Sequence, residues 1–110
     1  MTLNDYQQAA ARTIGPGLDC VEKTFHALHG MVSEIGELHG LYQKLYQGHS
    51  IDEEHAKKEL GDLMWFIAEY CTANGWTLDE IGQMNIDKLR KRYPDGCDPE
   101  RSLHRAAGDV

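Results

Sequence analysis

Residues 21–46 read VEKTFHALHGMVSEIGELHGLYQKLY. Apolar side chains recur in this stretch at alternating steps of three and four residues, and they are Leu28, Met31, Ile35, Leu38, Tyr42 and Leu45. That spacing places side chains along one face of an α-helix. The stretch therefore predicts a long helix whose apolar face packs against other parts of the protein.

A second long helix is predicted over about residues 53–74. Its apolar face consists of Leu60, Leu63, Met64, Ile67 and Cys71. Shorter helices are predicted over about residues 3–13 and 78–92, and a short last helix begins after Asp98. No segment alternates apolar and polar residues over the length of a strand. We therefore expect an all-α fold, an antiparallel bundle of about four to five helices.

The two long stretches share a motif, which is Glu34-Ile35-Gly36-Glu37-Leu38 in the first and Glu59-Leu60-Gly61-Asp62-Leu63 in the second. Each copy places two carboxylates side by side along the border of the apolar face, with a glycine between them. Mid-helix glycine costs about 0.5–1 kcal/mol relative to alanine, and acids beside an apolar face resist burial unless something pairs with them. The repetition predicts that the two helices face each other, with the glycines allowing their backbones to approach closely.

Four carboxylates in one pocket repel one another unless a cation lies among them. We therefore expect Glu34, Glu37, Glu59 and Asp62 to bind one or two divalent metal ions. Ligation by oxygen alone favours Mg²⁺ or Mn²⁺, whereas zinc usually recruits histidine or cysteine. A single acidic pair at this spacing is more often part of a solvated surface, so the repetition carries the inference.

Composition narrows the classes of function. With 110 residues and 41% hydrophobic content, the chain is expected to form one domain over residues 1–110. Because the first helix is too short to complete a bundle, we expect homo-oligomerisation to finish the core.

A formal charge of −7 argues against a nucleic acid polymer as partner but leaves small phosphorylated substrates open. No apolar run approaches the ~20 residues that cross a bilayer, and the amino terminus lacks signal-peptide features, so we expect no membrane association and a cytoplasmic location.

The predicted fourth helix carries a basic side. Asn85, Lys88 and Arg92 follow one another at spacings that place them on the same side of a helix. Lysine acts as a point charge for phosphate oxygens, and arginine can donate two parallel hydrogen bonds to them. Basic residues near the carboxy end of a helix also suit its dipole, so a purely structural role stays open. Lys44 is a weaker candidate for binding phosphate.

Histidines and cysteines give weaker signals. His26 and His29 lie one helical turn apart and precede Glu34, so contact with a substrate or a ligand water is open, although such histidines are more often polar border residues. The other histidines, His55 among them, show no informative spacing. The three cysteines lack metal-ligand spacing and are expected to be reduced.

Three motifs follow one another in this chain, and they are Glu34-x-x-Glu37, Glu59-x-x-Asp62 and Asn85-x-x-Lys88-Leu89-x-x-Arg92-Tyr93-Pro94. In this order they resemble the MazG-type all-α nucleotide pyrophosphohydrolase superfamily over about residues 25–96. The resemblance implies a helical bundle that forms homodimers or homotetramers and cleaves nucleoside triphosphates to monophosphate and pyrophosphate with Mg²⁺. It also implies that the four acidic residues bind the metal. In that family one segment contacts the phosphates or the nucleoside, and the residues that match it here are Asn85, Lys88, Arg92 and Tyr93. Where the family often has an aromatic residue after the Pro-x-Gly turn, this chain has Cys97.

In such a site, metal ions offset charge on the phosphates and lower the pKa of an attacking water. A carboxylate can accept the proton of that water, and Glu37 is our candidate for this role. Two alternatives stay open. The substrate is either a general nucleoside triphosphate or a dUTP-, dCTP- or phosphoribosyl-ATP-like molecule, and the domain is either an enzyme or a non-catalytic, metal-binding helical interaction module.

Overall fold

The computed structural model describes all residues, 1–110, and contains helices but no strands. The α-helices are α1 (Leu3–Ala11), α2 (Cys20–Gln43), α3 (Glu53–Ala73), α4 (Leu78–Arg92) and α5 (Pro99–Leu103), with a 3₁₀ helix at Lys44–Gln47 between α2 and α3. The prediction of an all-α fold with about four to five helices is confirmed. None of these helices combines the length and the apolar composition needed to span a membrane.

Side-chain caps explain where the long helices begin. Asp19 accepts a hydrogen bond from the Glu22 N–H at 2.8 Å, and the Glu22 carboxylate accepts one from the Asp19 N–H at 3.2 Å. Asp52 accepts from the His55 N–H at 3.1 Å in front of α3. These bonds satisfy amide groups that have no partner within the helix. The caps therefore stabilise the first turn of each long helix.

The end of α2 differs from the sequence expectation. The periodicity predicts one helix to Tyr46, but the α-helix ends at Gln43 and its last turn tightens into the 3₁₀ helix. Gly48 has a φ of 85° and donates its N–H to the carbonyls of Lys44 and Leu45. A left-handed residue at this position suits glycine, which has no Cβ to clash.

The chain divides into two compact units, Met1–Leu78 and Asp79–Val110. In the first unit, α2 and α3 run antiparallel, since contacts join Thr24 to Asn74, His26 to Glu69 and Gly30 to Phe66. Helix α1 packs on α3. The second unit contains the remainder of α4, together with α5.

The glycines that allow close approach are not the ones the motif predicted. Nothing lies within 4 Å of the position that a Cβ would take at Gly36 or Gly61. At Gly30, by contrast, a Cβ would overlap the ring of Phe66. The expectation for Gly36 and Gly61 was therefore wrong, because the glycine of α2 that lies directly against a side chain of α3 is Gly30.

A small core holds the first unit together. It consists of Ala10, Ala68, Cys71 and Leu78, with Tyr6, Trp65 and Ile67 packed against it. Buried Gln7 donates to Thr72 Oγ1 at 3.2 Å and to the Trp76 carbonyl at 2.8 Å, and it accepts from the Leu78 N–H at 2.7 Å. One amide side chain thus joins α1 to the end of α3 and the start of α4.

Much of the predicted apolar face of α2 remains uncovered within one chain. Ile35 and Tyr42 of that face are 45% and 52% exposed, whereas the buried residues of α2 are Ala27 and Leu41, which were not among its predicted members. Val32, on the same exposed side, is 72% exposed. The single chain therefore covers only one edge of this face, the edge that lies against α3.

Candidate metal centre

Three acidic side chains of the two motifs converge between α2 and α3. Glu34 comes from α2, and Glu59 and Asp62 come from α3. One carboxylate oxygen of each lies within 4.8 Å of the others. Glu34 and Glu59 are half-buried and Asp62 is exposed, so the cluster is open to solvent on one side. The antiparallel packing of the two helices brings these residues together from positions far apart in sequence.

The cluster is strongly coupled electrostatically. A hydrogen bond in which the Glu34 carboxyl donates to Glu59 is the largest effect that raises the pKa of Glu34 to about 7, and burial adds to it. The negative charges of Asp62, Glu59 and Glu37 raise it further. The same hydrogen bond lowers the pKa of Glu59. In the absence of a cation, Glu34 and Glu59 therefore share a proton near neutral pH.

This donor set fits a divalent metal ion. All three ligand atoms are carboxylate oxygens, the donors that Mg²⁺ and Mn²⁺ prefer. A cation in place of the shared proton removes the repulsion that raises the pKa of Glu34. Exposed Asp62 leaves one side open to water and substrate. The convergence thus explains why two helices carry acids beside their apolar faces.

His55 lies beside the acidic cluster, and the sequence analysis did not identify it as part of the site. Its Nε2 lies 2.8 Å from Oε1 of Glu59, and the contact contributes to the lowered pKa of Glu59. The two residues are four apart on α3, a spacing at which helical side chains meet. That spacing was the signal available in the sequence.

Glu37 lies beside the cluster and is not one of the three residues whose oxygens meet. It lines a cavity of about 290 Å³. The same cavity is lined by Lys44 and His55. The Glu37 charge still contributes to the raised pKa of Glu34. Its predicted roles as a ligand and as the general base remain predictions.

The predicted substrate-binding residues lie in the second unit. Asn85 and Lys88 are exposed on α4, and Tyr93 directly follows this helix. The guanidinium of Arg92 lies 5.9 Å from the centre of the Tyr93 ring. Arg92 is already engaged, because Asp109 accepts two hydrogen bonds from it. No spacing or motif in the sequence indicates Asp109 as the partner of Arg92.

The two α2 histidines have different surroundings. His26 Nδ1 lies 2.7 Å from Oε1 of Glu69, an acid that is only 3% exposed. The ring of His29 lies 6.4 Å from that of Phe25. His26 therefore satisfies a buried carboxylate, and sequence reasoning did not single out Glu69 because one acid within an apolar helix face has no distinctive spacing.

Comparisons with known proteins agree with the geometry. The sequence model of the family described as "MazG nucleotide pyrophosphohydrolase domain" matches residues 23–97, which include all four motif acids. The "Gene 37 protein" of Mycobacterium phage L5 is 31% identical over 118 residues, covering 99% of this chain and 98% of the phage protein. No solved structure matches the chain. With the family match running over most of the sequence and three of the motif acids meeting in space, the chain belongs to the MazG nucleotide pyrophosphohydrolase domain family.

Proposed function

We propose that this protein hydrolyses nucleoside triphosphates to nucleoside monophosphate and pyrophosphate, with Mg²⁺ as cofactor and Mn²⁺ as a substitute. The observation that carries the proposal is the convergence of Glu34, Glu59 and Asp62 in a chain of this family. Clustered carboxylates that share a proton are expected where a divalent cation helps to bind polyphosphate.

Each group has a defined part in the proposed reaction. Glu34, Glu59 and Asp62 hold the metal, with Glu37 as a further ligand. The bound ion supplies Lewis-acid chemistry that offsets negative charge on the phosphates and lowers the pKa of water. Glu37 accepts the proton of the attacking water as the water oxygen bonds to phosphorus. The phosphoanhydride bond between the α- and β-phosphates breaks, which releases nucleoside monophosphate and pyrophosphate.

The second unit supplies substrate contacts in this proposal. Lys88 and Arg92 bind phosphate oxygens by charge and by paired hydrogen bonds. Asn85 and Tyr93 contact phosphates or the nucleoside. The family match supports this assignment because it continues through residue 97 and so includes all four positions. We also propose that residues 1–110 act as one MazG-like domain.

We also propose that the protein forms a homodimer or homotetramer. Its proposed location is the cytoplasm, and neither a nucleic acid polymer nor a membrane is proposed as a partner. The exposed apolar residues of α2 support self-association, since Phe25, Val32 and Ile35 are 55%, 72% and 45% exposed and lie along one side of the helix. Large apolar side chains exposed along one side of a helix are what a protein–protein interface buries.

The test is pyrophosphate release from a nucleotide panel with Mg²⁺, including dUTP, dCTP and phosphoribosyl-ATP. We expect wild-type protein to release pyrophosphate and Glu59→Gln to lose at least about 100-fold in rate, because even outer partners of metal ligands are worth about 10–100-fold. Glu53→Gln is the matched control, since Glu53 is exposed at the start of the same helix.

The panel also separates the alternatives. Turnover confined to dUTP, dCTP or phosphoribosyl-ATP would narrow the substrate to that class. No pyrophosphate from any nucleotide, with metal bound and the oligomer intact, would favour the non-catalytic interaction module. Equal loss of activity in Glu53→Gln and Glu59→Gln would contradict the assignment of the metal centre.

A further inference from the structure

The second unit contains an open basic cavity of about 560 Å³. That volume lies within the range of about 300–1,000 Å³ that is usual for small-molecule sites. Five cationic side chains line it, and they are Lys88, Lys91, Arg92, Arg101 and Arg105. Only two acidic side chains, Asp87 and Asp109, line it with them, although the side chains of the whole chain carry a formal charge of −7. The cavity is thus a local site of positive charge in an acidic protein.

The most buried cation of this cavity, Arg92, already forms an ion pair with a carboxylate of the same chain. The Asp109 carboxylate accepts hydrogen bonds from Arg92 Nε at 2.8 Å and from its terminal nitrogen at 2.7 Å. The Arg92 and Asp109 side chains are only 10% and 17% exposed. This two-bond geometry is the one by which arginine binds either a carboxylate or a phosphate group. The other lining acid, Asp87, accepts instead from Gln83 at 2.8 Å.

Several cations act on the Asp109 carboxylate together. Its hydrogen bonds to Arg92 lower its pKa most, and the charges of Arg92, Arg105 and Lys88 contribute as well. A single carboxylate brings one negative charge to this group, whereas a diphosphate or triphosphate brings several. A polyphosphate therefore gains more from the same cations than Asp109 does.

The segment that carries Asp109 lies outside the regular helices. Helix α5 ends at Leu103, and residues 104–110 form no regular element. Ala106 and Ala107 are exposed, and a turn links the Asp109 N–H to the Ala106 carbonyl at 3.1 Å. Moving this backbone uncovers little apolar surface at the exposed alanines, so the main free-energy cost of displacement is the loss of the Arg92–Asp109 contact.

We propose that the Asp109 carboxylate is an intramolecular stand-in for a phosphate group, and that a diphosphate or triphosphate displaces it from Arg92. Residues 104–110 then act as a tethered competitor that lowers the apparent affinity of the cavity. The identification of the ligand as polyphosphate rests on the proposed function. The competition itself rests on the Arg92–Asp109 contact and the basic lining.

The test measures binding of inorganic pyrophosphate by calorimetry in EDTA, so that the metal centre does not contribute. We expect Asp109→Asn to bind pyrophosphate more tightly than wild type, with the gain in the range of about 5–150-fold that is typical of coupled equilibria. Asp95→Asn is the control because it removes the same charge from an exposed turn and does not line the cavity. Adding Arg92→Gln to Asp109→Asn should abolish the gain.

Wild-type protein provides a second measurement that needs no folded variant. Amide NMR signals of residues 105–110 should shift and sharpen as pyrophosphate is added, since the segment leaves Arg92. A non-hydrolysable nucleoside triphosphate in the same titration distinguishes substrate from product as the natural ligand, according to which of the two binds more tightly.

Equal pyrophosphate affinity in Asp109→Asn, Asp95→Asn and wild type would overturn the proposal, as would weaker binding by Asp109→Asn. Unchanged NMR signals of residues 105–110 at saturation would overturn it too. The proposed function can fail separately, because catalysis is scored by pyrophosphate release with Mg²⁺ and this competition by binding in EDTA.

Discussion

Single residues carry the electrostatics of this protein, and Glu34 is the clearest case. In metal-free protein its pKa is raised from 4.5 to about 7, chiefly by the hydrogen bond to Glu59. A carboxyl group with a raised pKa stabilises the folded state fully at pH values below its unfolded pKa. That contribution is lost as the pH rises through the folded value. Metal-free protein is therefore expected to lose stability between about pH 5 and 8.

Glu34→Gln tests this expectation. The glutamine amide donates to Glu59 at every pH, so the variant should melt a few degrees higher than wild type at pH 8 in EDTA and lose the advantage near pH 5. Melting temperatures across this range measure the effect. Addition of Mg²⁺ at pH 8 should raise the melting temperature of wild type more than that of the variant. Parallel pH curves for the two proteins in EDTA would contradict the shared proton.

Gln7 is a second residue with a measurable contribution. Gln7→Leu removes its hydrogen bonds and leaves the Trp76 carbonyl and the Leu78 N–H without this partner. The expected loss in free energy of unfolding is about 1–3 kcal/mol, the usual cost of unpaired buried polar groups. Urea denaturation measures it. Exposed Gln8 gives the matched control, for which Gln8→Leu should stay within about 0.5 kcal/mol of wild type.

At the scale of helices, packing of α2 on α3 decides which residues meet. The aromatic ring of Phe66 lies over Gly30, and it also contacts Trp65 edge to face at 5.1 Å and His26 at 5.7 Å. This contact sets the register of the two helices. The same register brings Glu34 to Glu59 and Asp62, so the packing layer at Gly30 supports the metal centre.

Two glycine substitutions on α2 separate packing from helix propensity. Gly30→Ala places a Cβ into the Phe66 ring and should lower the free energy of unfolding by about 1–3 kcal/mol, the usual cost of overpacking. Gly36→Ala meets nothing within 4 Å and should raise it by about 0.5–1 kcal/mol, because alanine favours helix over glycine. Denaturation at matched protein concentration measures both. Effects of the same sign and size would contradict the helix register.

At the scale of the whole molecule, the uncovered apolar side of α2 has a measurable consequence. Val32→Lys with Ile35→Lys should convert the proposed homo-oligomer to monomer, since burying two lysines at an interface without partners is costly. Sedimentation velocity gives the mass before and after substitution. Leu103→Lys is the control, because Leu103 is 80% exposed on α5. A wild-type protein that sediments as a monomer would contradict the proposed self-association, and an oligomer whose mass is unchanged in the double variant would place the interface elsewhere.

The sequence predicted the helices well because each depends on local features. Side-chain spacing, the turn glycines and the acidic caps act over a few residues, so α4 was predicted with the bounds Leu78–Arg92 that it has. The paired acids were also visible, since their spacing places them on one side of a helix. Close approach at Gly30 was not visible, because it depends on the rotation of α2 against α3.

The sequence by itself determined an all-α protein of the MazG family, with its acids repeated at matching places on two helices. Only the tertiary structure decided that Glu34, Glu59 and Asp62 meet while Glu37 lines a neighbouring cavity, and that Asp109 binds Arg92. Helical periodicity depends on residues close together in the chain, so it can be predicted from the sequence. Contacts between distant residues depend on helix register and on where a terminal segment folds back, and these are set by the packing of the folded chain.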